Sequence, residues 1–219
     1  MPLSDLGEVA RAVFLDLIDH LHLFSGFSSQ KMNTQYGFDT AYVSAVEGDT
    51  KEASDPTSET RKTLVSTMGI ADSKISERDI QTVRKVCKIV STRAARLSAT
   101  AIATTLIHTG NVQSNNAPKG TKEDAIEALE EKEGHQVDEG VEVGVDGSVV
   151  EFLPHFQDRM RDALRDMIGE EAEKRTKFGL AKDGSGVGGE YRTNARTSRS
   201  SSDLAFHLSS QLLFVLSRL

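Results

Sequence analysis

The tripeptide Asp-Gly-Ser occurs twice, as Asp146-Gly147-Ser148 and Asp183-Gly184-Ser185, each time at the end of a short apolar run. A glycine-serine turn after a strand points successive amide groups outward, admits a ligand where a Cβ would block it, and adds a hydroxyl donor. Phosphate groups suit such a turn. Asp-Gly-Ser also serves as a plain chain reversal, so either copy by itself leaves both readings open. The stretch GSGVGG, residues 184–189, matches the G-x-G-x-x-G spacing of dinucleotide-binding units. That motif requires a following helix, a second strand and an acidic residue about 20 positions on. Asp203 lies near that distance, but only 30 residues follow Gly189 and none alternates like a strand, which argues against a Rossmann site. No segment has the glycine, lysine and hydroxyl spacing of a P-loop. The six histidines, His20, His22, His108, His135, His155 and His207, show no metal-ligand spacing, since His20 and His22 point to different faces of a helix.

The whole chain narrows the ligand class. Of 219 residues, 37% are hydrophobic and 27% charged, which is ordinary for a soluble domain, and the length fits one domain. A net charge of −7 provides no basic field for nucleic acid or anionic lipid, while leaving a small anionic ligand admissible. Cys87 is the only cysteine, so no intrachain disulfide or thiolate metal cluster is available and a reducing compartment is expected. The start, MPLSDLGEVARAV, lacks a basic region followed by an apolar core, so a cytoplasmic location is expected.

The elements that would position the turns can be read from periodicity. Ser4 and Asp5, with Glu8 in capping-box position, open a helix over residues 5–24 whose apolar residues include Leu6, Val9, Ala10, Val13, Leu17 and Leu21. Residues 25–50 read as a loop entering a short helix, and RKTLVSTMGI as another short helix ended by Gly69. Ser76 and Asp79 open a long helical pattern, either one helix or two, that stops at Gly110. Its second half, STRAARLSATAIATT, is rich in small residues that allow close approach of a neighbour. Residues 111–140 are polar and then acidic and read as an exposed, disordered insertion. Val141, Val143 and Val145 alternate, Asp146-Gly147 makes a turn, and Val149, Val150 and Phe152 lead away, which predicts a β-hairpin. A helix from Pro154 with Phe156, Met160, Ala163, Leu164, Met167 and Ile168 on one face follows, then KFGLA as a returning strand. In the tail, residues 190–219, the face Leu204, Leu208, Leu212, Val215 and Leu219 predicts a short amphipathic helix, too short and polar to span a membrane.

The segments LGEVARAVFLDLID, LFSG, YGFDTAYVSAVEGD, VCKIVSTRAARLSATAIA, VGVDGSVVEFLPHF and GLAKDGSGVG, in this order, resemble the C-terminal part of the large lobe of hexokinases, of the fungal glucokinase type. The resemblance covers residues 6–188. It implies an α/β, helix-rich part of the actin-like ATPase (ribonuclease H-like) fold over residues 1–189, and an ATP-dependent phosphotransferase acting on the 6-hydroxyl of glucose or another hexose. It implies that Thr40 and Ser44 help line the nucleotide pocket, and that Gly147, Ser148 and Val149 form the turn against which adenosine and phosphates lie. Ser185 sits behind that pocket, and STRAARLSATAIA corresponds to the helix joining the two lobes. ATP with Mg²⁺ is the implied cofactor, with no dedicated metal site on this chain.

The family's small lobe, catalytic aspartate, phosphate loops and sugar-binding residues have no counterpart in these 219 residues, and Ser4 stands where a phosphate-assisting lysine is expected. The chain by itself is therefore expected to be inactive. Asp39, Glu47 and Asp49 are the carboxylates nearest the implied pocket and are read as capping or solvated groups. Arg93 and Arg96, in the joining helix, either steer phosphate or pair with nearby acids. The alternative to a kinase is a non-catalytic nucleotide-binding or protein-interaction module derived from a hexokinase.

Overall fold

The computed structural model describes residues 5–112, 140–145 and 147–180. The tail, the second Asp-Gly-Ser, Ser185 and nearly all of the 111–140 insertion lie outside these residues. The chain divides into two compact units, whose described parts are residues 5–94 with 148–156, and residues 95–112, 140–145, 147 and 157–180.

In the first unit, helix α1 (Asp5–Leu21) buries Ala10, Phe14 and Ile18, four positions apart. Of the expected face Ala10 is buried, whereas Val9, Val13 and Leu21 are exposed. Ser4 and the Asp5 side chain of the expected capping box lie outside the described residues, while Glu8 has partners of its own. Its carboxylate accepts from Arg11 Nε at 2.7 Å, Arg11 Nη2 at 2.5 Å and the Tyr36 amide at 2.7 Å. Arg11 reaches on to the Met32 carbonyl at 2.7 Å and so ties α1 to the short helix α2 (Gln30–Asn33). The helix ends earlier than expected because His22, Phe24 and Ser25 take left-handed backbone angles near φ 55°. Phe24 is buried there, and its amide donates to Asp79 Oδ1 at 3.3 Å.

Helix α3 (Thr40–Glu47) lies beyond Phe38, whose ring meets Phe14 edge-on at 5.3 Å and Tyr42 at 5.6 Å. A single turn, α4 (Glu59–Lys62), widens into a π-helical turn at Thr63–Thr67, and Gly69 closes it at φ 71°. This is the short helix expected before Gly69. Helix α5 (Glu77–His108) begins as the sequence indicates: the Asp79 amide donates to Ser76 Oγ at 3.2 Å and the Ser76 amide to Asp79 Oδ2 at 2.8 Å. It is one continuous helix and supplies Ile80, Val83 and Cys87 to this unit's core.

In the second unit, Ala95, Ala99 and Ala103 of α5 form a buried ridge of small side chains, as the composition of that half suggests. Strand β1 (Val141–Val145) pairs in parallel with β2 (Thr176–Leu180), Val141 opposite Thr176 and Val145 opposite Leu180. The expected hairpin is thus corrected. Residues Ser148–Phe152, which belong to the first unit, form a helical turn, α6, and the strand that pairs with β1 begins 31 residues after β1 ends. A parallel pair needs a crossover, provided by α7 (Phe156–Ile168) and α8 (Glu170–Arg175). Met160, Ala163, Leu164 and Ile168 are buried, as the expected apolar face requires. Glu173, buried, pairs with Arg161 at 2.6 Å and Arg165 at 3.5 Å, and the Arg161 guanidinium lies 4.6 Å from the Phe178 ring centre.

Candidate functional site

Thr40, Ser44, Ser148 and Val149 line a single pocket of about 390 Å³ within the first unit, together with Asp39, Ala41, Phe152 and Leu153. Two segments separated by about a hundred residues meet there. Their junction is a hydrogen bond from the Ser44 hydroxyl to the Phe152 carbonyl, 2.8 Å long. Gly147 is not among the lining residues. It precedes Ser148 with φ 137°, a conformation that favours glycine, and a Cβ added there would meet nothing within 4 Å.

The pocket wall made by α3 is fixed at both ends. At its N-terminus, Asp39 caps the helix by accepting from the Ala41 amide at 2.8 Å, which is the capping role expected for it. Behind this cap lies Gly7 of α1, whose amide donates to Thr40 Oγ1 at 3.3 Å. A Cβ on Gly7 would stand 2.1 Å from the Phe38 carbonyl oxygen and 2.7 Å from the Thr40 amide nitrogen, so the two backbones touch with no room for a side chain.

At the C-terminal end of α3, Glu47 accepts from the buried Ser91 hydroxyl of α5. Two residues on, the Asp49 carboxylate is 1% exposed and is not solvated as one reading of the sequence allowed. Its Oδ2 accepts from the Ser58 hydroxyl, the Thr60 amide and hydroxyl, and Arg84 Nη2, all at 2.7–2.8 Å. Burial by itself would raise the Asp49 pKa, but these donors outweigh it and hold the carboxyl well below the usual range. Arg84 also donates to the Lys51 carbonyl at 2.7 Å, so the loop after α3 is pinned to α5. Arg93 and Arg96 are exposed.

Chemically, the pocket offers three hydroxyls, one carboxylate and an apolar part made by Ala41, Val149, Phe152 and Leu153. Such a mixture suits a small amphipathic ligand. Among the described residues, no group of three or more His, Cys, Asp or Glu could hold a metal ion, and no helix is long and apolar enough to cross a membrane. Burial pushes the Cys87 thiol far above its ordinary pKa, with the nearby Glu47 charge acting in the same direction, so it is not a nucleophile. Reading the sequence left out Gly7, Ala41, Phe152 and Leu153. Phe152 was placed on a strand; taken as helix, its spacing of three from Val149 would have put both on one face.

The hexokinase family profile matches residues 6–190. Hexokinase-1 of Schizosaccharomyces pombe is 32% identical over 84% of this chain and 31% of its own length, and glucokinase of Aspergillus niger is 32% identical over 84% and 34%. A hexokinase from Schistosoma mansoni complexed with glucose superposes with a TM-score of 0.55 at 25% identity, over 80% of this chain and 32% of that one. The chain spans about a third of the length of the relatives it matches. The described helices and parallel strand pair are part of the actin-like ATPase fold of those neighbours. With more than four-fifths of its residues aligned from the first helix to the second strand, the chain belongs to the hexokinase family.

Proposed function

We propose that the chain is the C-terminal part of a hexokinase-type large domain and forms the nucleotide side of an ATP-dependent hexose kinase. The observation that carries this reading is the convergence of Thr40, Ser44, Ser148 and Val149 on one pocket. Gly147 gives the adjoining turn its left-handed backbone, and Thr40, Ser44 and Ser148 supply hydroxyls for the nucleotide's sugar and phosphates. The family domain extends over residues 1–189, with 111–140 as an acidic insertion and 190–219 as a divergent tail. The cytoplasm is its compartment.

MgATP is the phosphoryl donor and glucose or another hexose the acceptor. The sugar 6-hydroxyl oxygen attacks the γ-phosphorus, the bond to the β-phosphate oxygen breaks, and ADP departs while an aspartate takes the hydroxyl proton. In the family that base belongs to a segment outside the matched third. The present residues contribute positioning, which can lower a phosphoryl-transfer barrier by several kcal/mol but does not replace the base.

Calorimetric titration of the 219-residue chain with MgATP tests the reading. Saturable binding is expected, weakened about tenfold by combining Thr40→Val with Ser148→Ala, in proportion to the loss of two hydrogen bonds. Absence of binding, or an unchanged affinity in the double variant, rejects it. A coupled assay on the same chain is expected to give no glucose 6-phosphate; turnover at an ordinary hexokinase rate would reject the half-site account.

A further inference from the structure

Helix α1 carries two apolar stripes. One, Ala10, Phe14 and Ile18, is buried in the first unit. The other, Leu6, Val9, Val13, Leu17 and Leu21, recurs at helical spacing beside it and faces outward. Val9 is 40%, Val13 37% and Leu21 73% exposed, and Leu6 and Leu17 are half-buried. This outer stripe runs the length of the helix, about four turns or 22 Å. A continuous apolar stripe left in water marks a surface that takes a partner. Along its outer side lie two exposed carboxylates, Asp16, which His20 contacts at 3.2 Å, and Asp19.

The chain itself carries a matching segment. Residues 191–219 lie beyond the stretch that the family profile matches, so the family likeness gives them no role. Within them Leu204, Leu208, Leu212, Val215 and Leu219 form a stripe of the same length as the outer stripe of α1. Residues 204–219 place His207 and Arg218 beside that stripe and contain no Asp or Glu, and Arg192, Arg196 and Arg199 precede them. The flanking charge is thus opposite to that of Asp16 and Asp19. A second copy of α1 would instead bring like carboxylates together, since a two-fold pairing sets the same surface against itself. From Leu180 to Leu204 the tether reaches about 80 Å when extended, ample for contact. We infer that residues 204–219 pack as an amphipathic helix on the outer stripe of α1, a cover that the chain supplies for itself.

Val13 and Leu212 stand near the middle of their stripes and so meet whether the two helices run parallel or antiparallel. In the 219-residue chain, Val13→Cys combined with Leu212→Cys is expected to close an intramolecular disulfide in oxidised glutathione. Closure should be at least tenfold faster than for Leu97→Cys combined with Leu212→Cys, Leu97 being a 51% exposed position on α5. Cys87 is buried and stays out of the exchange. Val13 and Leu97 are both exposed, so the substitutions should leave the melting midpoint of the reduced chains unchanged. Non-reducing electrophoresis of dilute protein separates the closed monomer from a covalent dimer. Equal closure rates for the two pairs overturn the inference. So does rapid covalent dimerisation of Val13→Cys by itself, which would place a second copy of the chain on the stripe. Neither readout involves MgATP, so this inference and the nucleotide reading fail separately.

Discussion

Gly7→Ala would place a methyl group 2.1 Å from the Phe38 carbonyl oxygen, a backbone atom that cannot swing aside. Such overpacking typically costs about 1–3 kcal/mol, and relief requires α1 to move away from the cap of α3. A lowered urea midpoint is expected, with weaker MgATP binding, because Thr40 loses the Gly7 amide. Asp49 belongs to the same scale. Asp49→Ala leaves Arg84, Ser58 and Thr60 without their shared acceptor, and breaking a buried pair costs about 3–5 kcal/mol. Because the folded pKa is depressed, this contribution is complete above the ordinary carboxylate range and fades as pH falls below about 4. Urea melts at pH 7 and pH 3 should therefore show a smaller gap between the two proteins at the lower value.

At the scale of elements, the long helix shows what sequence periodicity captures. Its capping box and its alanine ridge follow from Ser76, Asp79 and the small-residue run, because these are local or side-chain-size effects, whereas the periodicity leaves one helix or two open and the structure shows one. The ridge predicts its own test: Ala99→Leu, at a fully buried position, should cost about 1–3 kcal/mol in a thermal melt. Leu97→Ala, on the 51% exposed side, should stay within about 0.5 kcal/mol. Elsewhere the pattern misled. In α1, Val9 and Val13 have the same spacing as Ala10 and Phe14, and only packing against Phe38 selects the buried stripe. After Gly147, the valines favoured a strand. The chain instead turns into a helix, since β1 finds its partner in a distant parallel strand that no local signal announces. The pocket residues Thr40, Ser44, Ser148 and Val149 were legible through family motifs. The supports Gly7 and Asp49 depend on contacts between elements and were not.

For the whole molecule, the proposed nucleotide occupies one position, the pocket between α3 and α6 of the first unit. A ¹⁵N-labelled sample of the 219-residue chain titrated with MgATP reads that position directly through amide chemical shifts. Progressive, saturable shifts are expected at Thr40, Ala41, Ser44, Ser148 and Val149, the residues that line the pocket. Shifts confined instead to a second open groove of the first unit, around Gln30, Thr34 and Ser66, or to the β1 and β2 strands, would contradict it.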